Sequence, residues 1–253
     1  MDTRVIDFHC HVGRQSQYGM DDRPERYLEL LDAAGVDVAC INYVFRGDAK
    51  EANDVVARYV AEWPDRFVGA AFVTPHYPEE AVKELDRSFD MLGMKFIKIY
   101  PDYFGRPNDD PAYFPIFEWA NERGLPIMGH ATFPFDPPHL SIPERFLALH
   151  DRFPNVTWVI AHAGNVTEGQ IGAVEAARRC PKVMLETCTS WGEHGTIERL
   201  VNGAGEDRVM YGSDMPLMDA RLQIGRIATA VISEKAKRKV LGLNAMRLLG
   251  LEI

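Results

Sequence analysis

No apolar run among these 253 residues approaches the ~18–20 needed to cross a bilayer, so a membrane role is not expected. Basic runs are also missing, and the net charge is −9, which argues against a nucleic-acid groove. Cysteine is scarce. The four that occur, Cys10, Cys40, Cys180 and Cys188, have no C-x-x-C spacing and do not suggest a small disulfide framework. A reducing cytoplasm is therefore the expected setting. The first apolar stretch begins within a few residues of Met1, which predicts no secretion leader. Low-complexity tracts and breaks in composition are absent too, so one domain over residues 1–253 is expected. What is present is 46% hydrophobic and 26% charged residues, the balance of a soluble globular chain with a large core.

That hydrophobic content is distributed in a rhythm. Short apolar runs predict eight strands, at residues 5–12, 38–44, 67–74, 95–101, 126–131, 157–163, 183–188 and 209–214. Most are continuous rather than alternating, the pattern of strands buried on both faces of a parallel sheet. Amphipathic helices are predicted between and after them, at 24–34, 49–63, 78–92, 111–123, 143–153, 167–179, 195–202, 220–230 and 233–249. Their ends carry local signals: Pro24 and Pro78 at first helical positions, Gly35, Gly93 and Gly124 just past last turns. Thr167 and Gln170 form a Thr-x-x-Gln pattern expected to cap the sixth helix. Eight strand–helix units with right-handed crossovers, at a length near ~250, predict a distorted (β/α)8 TIM barrel. Loops entering strands are short, whereas loops leaving them (13–23, 101–110, 132–142 and 189–194) are longer and rich in Pro, His and aromatics. In such a barrel the active site lies at the C-terminal ends of the strands.

Histidines gather there. His9 and His11, two apart on the first strand, share a face, while Cys10 points the other way. His130 ends the fifth strand, His162 the sixth, and Asp214 the eighth. Each alone reads as a buried hydrogen-bonded side chain or a turn residue. Together they place imidazoles and one carboxylate around a single point, a donor set that suits zinc, with manganese or iron as alternatives. Lys98, at the end of the fourth strand, shares a face with Phe96 and Tyr100.

The stretches IDFHCH, GMKFIKIYP, GHAT, VIAHAGN, YGSDMP and NAMRLLGL resemble the amidohydrolase superfamily, specifically its amidohydrolase-2 (ACMSD-like) branch, from first strand to last helix. The resemblance implies a mononuclear divalent metal held by His9, His11, His130 and Asp214. It implies His162 as a substrate-facing acid or base, or an additional ligand. The branch commonly carries HGGG or HxGG at this place, and here the sequence is His162-Ala163-Gly164-Asn165. In binuclear relatives a carboxylated lysine occupies the position of Lys98. In a single-metal branch, Lys98 is expected to bind substrate or to be structural.

The first functional expectation is a metal-dependent hydrolase of an ester, lactone or amide. Asp214 would act as general base on activated water and His162 would polarise the carbonyl or protonate the leaving group. The second is non-oxidative decarboxylation of an aromatic or unsaturated acid, and the third is a metal-independent lactonase. A barrel that binds without turnover is the non-enzymatic reading. The partner is a small molecule, gripped by Lys98, Tyr100, Arg106 and Trp191; the outer helices could support a homodimer. Tyr103, Phe104, Phe133, Phe135, His139 and His194 are weaker candidates for the pocket wall, and Arg14 and His76 for the mouth. His150 is expected on the surface. Cys10 should face the outer helices, and Cys188 could reach the pocket without a partnered base.

Overall fold

The computed structural model describes residues 4–20, 22–132 and 140–252. Eight parallel strands follow one another in sheet order β1 to β8. They are β1 (Ile6–His11), β2 (Val38–Asn42), β3 (Phe67–Phe72), β4 (Phe96–Ile99), β5 (Pro126–Thr132), β6 (Thr157–Gly164), β7 (Val183–Glu186) and β8 (Val209–Met210). Backbone bonds close the ring between its last and first strands: Phe8 N donates to Tyr211 O at 3.0 Å, Asp214 N to His9 O at 2.8 Å and His11 N to Met215 O at 2.7 Å. The fold is the expected (β/α)8 barrel.

Two apolar layers follow from strand alternation. Ile6, Phe8, Cys40, Ala70, Phe96, Met128, Ala161 and Met210 fill the barrel interior, with Phe8 stacked on Phe96 at 4.8 Å. A larger shell packs the outer strand faces against helices α1 (Pro24–Ala34), α2 (Ala49–Glu62) and α3 (Pro78–Asp90) and those that follow. Cys10 belongs to that outer shell, as expected. Helix limits obey local chemistry at many points. Gly35 (φ 69) ends α1 in the left-handed conformation that glycine adopts at least cost, and Asp48 caps α2 by accepting from Glu51 N.

The structure departs from the sequence expectations where tertiary contacts win. A short helix, α4 (Pro101–Phe104), stands in the loop after β4. The segment expected as one helix at 111–123 is a 3-10 turn, Pro111–Tyr113, followed by α5 (Phe114–Arg123). Downstream come α6 (Arg145–Arg152), α7 (Thr167–Arg179), α8 (Thr196–Ala204) and α9 (Ala220–Thr229). The final helix is broken into α10 (Glu234–Arg238), a π turn (Lys239–Leu243) and α11 (Asn244–Leu249). Gly242 in the π turn lies so close to the chain start that a Cβ there would sit 2.0 Å from Arg4 O. Ala245 and Leu249 of α11 join the interior cluster. Among the described residues no helix is long and apolar enough to cross a membrane. None of the four cysteines is in a disulfide.

Candidate functional site

Two β-bulges build the site. Between Asp7 and Cys10, β1 advances three residues while β2 advances two, from Ala39 to Ile41. An extra residue in one strand reverses which face the following side chains take. Phe8 fills the interior, yet the next residue, His9, also turns inward, and His11 with it. The same happens in β6: it advances three residues, Ala161 to Gly164, against two in β5, His130 to Thr132. Ala161 is interior, Ala163 lies in the outer shell, and His162 enters the site.

The inward side chains make one buried cluster. His9 Nδ1 lies 2.9 Å from Glu186 Oε2, and with the ring proton on Nδ1 the Nε2 lone pair faces the centre. That Nε2 is 3.1 Å from Lys98 Nζ and 3.5 Å from Asp214 Oδ1. His11 Nε2 is 2.8 Å from the same Asp214 oxygen. The His9 ring centroid is 5.0 Å from those of both His11 and His162. Among the described residues three groups bring donor atoms within 4.8 Å of one another: His9, His11 and Asp214; His9, His162 and Glu186; and His162, Cys188 and Asp214. His130 stands at the edge of this arrangement, outside those three groups. Its Nδ1 is 3.2 Å from His162 Nε2, its Nε2 is 3.7 Å from Asp102 Oδ2, and Tyr100 stacks on its face at 4.0 Å.

Burial governs the charges. It pushes the His9 and His130 imidazoles well below their ordinary range and His162 down to about 4, so all three are neutral at pH 7. Burial also lowers Lys98 and raises Glu186. For Asp214 burial acts in the opposite sense, but the hydrogen bond from His11 and the surrounding charges outweigh it and hold the carboxyl below its usual value. Asp214 has φ 63, a left-handed conformation that Asp tolerates better than most residues and that occurs often at functional sites.

The residues expected at the mouth divide. Tyr100 stacks on Tyr103 at 3.9 Å as well as on His130, and Phe45 lies 5.1 Å from His11 and 6.2 Å from Tyr103. This aromatic wall continues to Tyr18 and Phe104 around a surface cavity of about 430 Å³. Arg106 directs its guanidinium to Asp110 in its own loop, at 3.3 Å. Trp191 is half exposed on the loop after β7, its backbone N–H donating to Thr189 Oγ1. His76 packs on Phe104, His194 is exposed, and Cys188 does reach the cluster, its thiol raised by burial. His150 is half-buried rather than on the surface. Phe133, Phe135 and His139 lie outside the described residues.

Glu186 is the residue that sequence reading missed. Its signal was a single acid in the apolar run Val183–Glu186. The expected Thr167 cap also fails. Thr167 Oγ1 and Gln170 Nε2 both donate to Glu193, on the loop after β7, and Glu193 accepts the Thr167 N–H as well. A carboxylate from a neighbouring loop thus replaces the local cap and ties that loop to α7.

Comparisons agree with this architecture. The chain is 27% identical, over 242 residues, to a 2-amino-3-carboxymuconate-6-semialdehyde decarboxylase of Dictyostelium discoideum, covering 81% of this chain and 67% of that one. It is 27% identical over 141 residues to a gamma-resorcylate decarboxylase of Polaromonas sp., covering 52% of this chain but 41% of the relative. A 5-carboxyvanillate decarboxylase of Novosphingobium aromaticivorans, solved with manganese and 4-hydroxy-3-methoxy-5-nitrobenzoic acid, superposes with a TM-score of 0.80 at 19% identity, over 99% of this chain and 97% of that one. The family model described as Amidohydrolase matches residues 6–251, and on that match the chain belongs to the amidohydrolase-2 family.

Proposed function

We propose that the chain is a metal-dependent decarboxylase of a small aromatic or unsaturated carboxylic acid. The observation that carries this reading is a buried cation, Lys98, set within a cluster of neutral imidazoles and one ionised carboxylate, behind an aromatic wall. Decarboxylation asks for a cation facing the substrate carboxylate, a planar surface for the conjugated body and a proton donor at the carbon. Both curated relatives described above are decarboxylases, which supports this chemistry over the ester, lactone or amide hydrolysis expected first from the sequence.

The donor set fits a divalent ion: two imidazole Nε2 atoms and a carboxylate oxygen converge in a buried pocket, with the His9 tautomer fixed by Glu186. His9, His11 and Asp214 would hold the ion, with His130 as the expected fourth donor, and zinc and manganese both suit such nitrogen and oxygen donors. When bound it supplies Lewis acidity toward a substrate oxygen. Lys98 orients the substrate carboxylate, and Tyr100 supports the planar body, with Arg106 and Trp191 nearer the mouth. The bond to the carboxylate carbon breaks, its electron pair stays on the substrate carbon, carbon dioxide leaves, and His162 or Asp214 relays a proton taken up from solvent to that carbon.

Carbon dioxide release tests the proposal. Protein stripped and reloaded with Mn²⁺ or Zn²⁺ is expected to release one CO₂ per acid consumed from some member of a panel of hydroxybenzoates and unsaturated acids. Acid liberated from esters or lactones without CO₂ would establish hydrolysis instead, and turnover indifferent to chelation would establish the metal-independent lactonase chemistry. Within the active panel, Phe45→Ala is expected to raise KM about fivefold, the equivalent of losing ~1 kcal/mol of ring contact, with kcat little changed. An unchanged KM would remove Phe45 from the substrate wall.

A further inference from the structure

Asp7 is fully buried, belongs to none of the donor groups and lies on β1 next to residues that face the interior, yet it touches both halves of the site. Its Oδ1 accepts the His9 N–H at 3.2 Å and the Ser213 N–H at 2.9 Å. The side chains of Ser213 and Tyr211 also lie against the carboxylate. His9 N–H belongs to the bulge that turns His9 and His11 inward, where the ordinary ladder is interrupted. Ser213 N–H belongs to the residue before Asp214, in the stretch that leaves β8 and bonds back to β1. One oxygen atom therefore fixes the backbone of the imidazole pair and of the carboxylate together.

We propose that Asp7 is a positioning residue: its carboxylate oxygen locks the β1 bulge to the end of β8 and so sets the spacing of His9, His11 and Asp214. The effect on metal affinity rests on the metal-binding reading above, whereas the effect on the two amides does not. An acceptor oxygen at this point is what the role demands. Asn supplies one in nearly the same shape, and Ala supplies none.

The test compares Asp7→Ala and Asp7→Asn with the unaltered chain in two measurements, Mn²⁺ titration calorimetry and amide hydrogen exchange of the metal-free protein. For Asp7→Ala the Mn²⁺ dissociation constant is expected to rise about 10- to 100-fold, the range found when groups supporting a ligand are removed. The His9 and Ser213 amides are expected to exchange faster while amides of β3 to β5 keep their protection. Asp7→Asn is expected to restore both to within about threefold. If Asp7→Ala does not fold, Asp7→Asn carries the test alone. A folded Asp7→Asn whose Mn²⁺ dissociation constant rises about tenfold or more and whose His9 and Ser213 amides lose their protection would overturn the role, as would a folded Asp7→Ala that matches the unaltered chain in both measurements. Were the unaltered chain to bind no Mn²⁺ at all, the metal reading would fail. Exchange at the two amides would still decide for or against Asp7.

Discussion

Asp214→Asn is expected to yield a folded protein that has lost its metal and nearly all of its turnover. The substitution keeps the shape, and Asn adopts the left-handed conformation recorded at this position (φ 63) as readily as Asp. What disappears is the anionic oxygen that sits 2.8 Å from His11 Nε2 and 3.5 Å from His9 Nε2. A divalent ion there would lose its one carboxylate donor, and the proton transfer assigned to the His162–Asp214 pair would lose a member. Loss of a positioned acid or base group alone costs roughly 10²- to 10⁴-fold in rate. Metal per chain by plasma mass spectrometry, CO₂ release and a melting curve would be read on one preparation. A folded variant that retained about one ion and its rate would remove Asp214 from the centre of the mechanism.

The second large effect concerns folding. Gly164 follows His162 and Ala163 in a run where Ala163 (φ 49), Gly164 (φ 81) and Asn165 (φ 63) are all left-handed. A Cβ on Gly164 would stand 2.0 Å from the carbonyl carbon of Gly169 and 2.1 Å from its oxygen, in the first turn of α7. Both partners are backbone, so no side-chain rotation relieves the overlap. The positive φ adds strain for any other residue. Gly164→Ala should cost about 3 kcal/mol, combining overpacking with backbone strain, which for a chain of this size lowers the melting temperature by roughly 6–12 °C. Gly192, with no atom within 4 Å of its ideal Cβ and no positive φ, is the control. Gly192→Ala should melt within about 1 °C of the unaltered chain. Equal melting temperatures for all three proteins would show that the β6–α7 junction relaxes freely.

The fold was legible because its determinants are local. Continuous apolar runs mark strands covered on both sides, Pro24 and Gly35 bracket α1, and the longer loops all leave strands at one end. The cluster was legible in kind, since histidines and Asp214 fall at strand ends whatever the details. The expected orientation, with Cys10 outward and His9 and His11 turned to the centre, is the one observed, but plain alternation along the whole strand does not produce it. Alternation counted from Ile6 and Phe8 would send His9 and His11 toward the helices, and alternation counted from Val159 and Ala161 would do the same to His162. The two bulges that reverse this depend on how β1 meets β2 and how β6 meets β5, contacts between segments far apart in the chain. Glu186 stayed hidden because an acid in a four-residue apolar strand carries no periodic signal. Thr167 misled for a related reason: Glu193, 26 positions away, outcompetes the local cap.

The seam between β8 and β1 has a consequence for how the protein is made and undone. His9 and His11 are synthesised some 200 residues before the segment that fixes their backbone, Tyr211 to Met215; Asp7 and Ser213 are 206 positions apart. Until that segment arrives, the imidazole pair has no fixed spacing, so a nascent chain presents loose histidines rather than a chelate. Once it has arrived, anything that grips both sides of the seam closes a loop of 206 positions. Opening such a loop costs the whole barrel its circular continuity and not just one edge. A ligand held there therefore acts on global unfolding, in proportion to RT ln(1 + [L]/Kd).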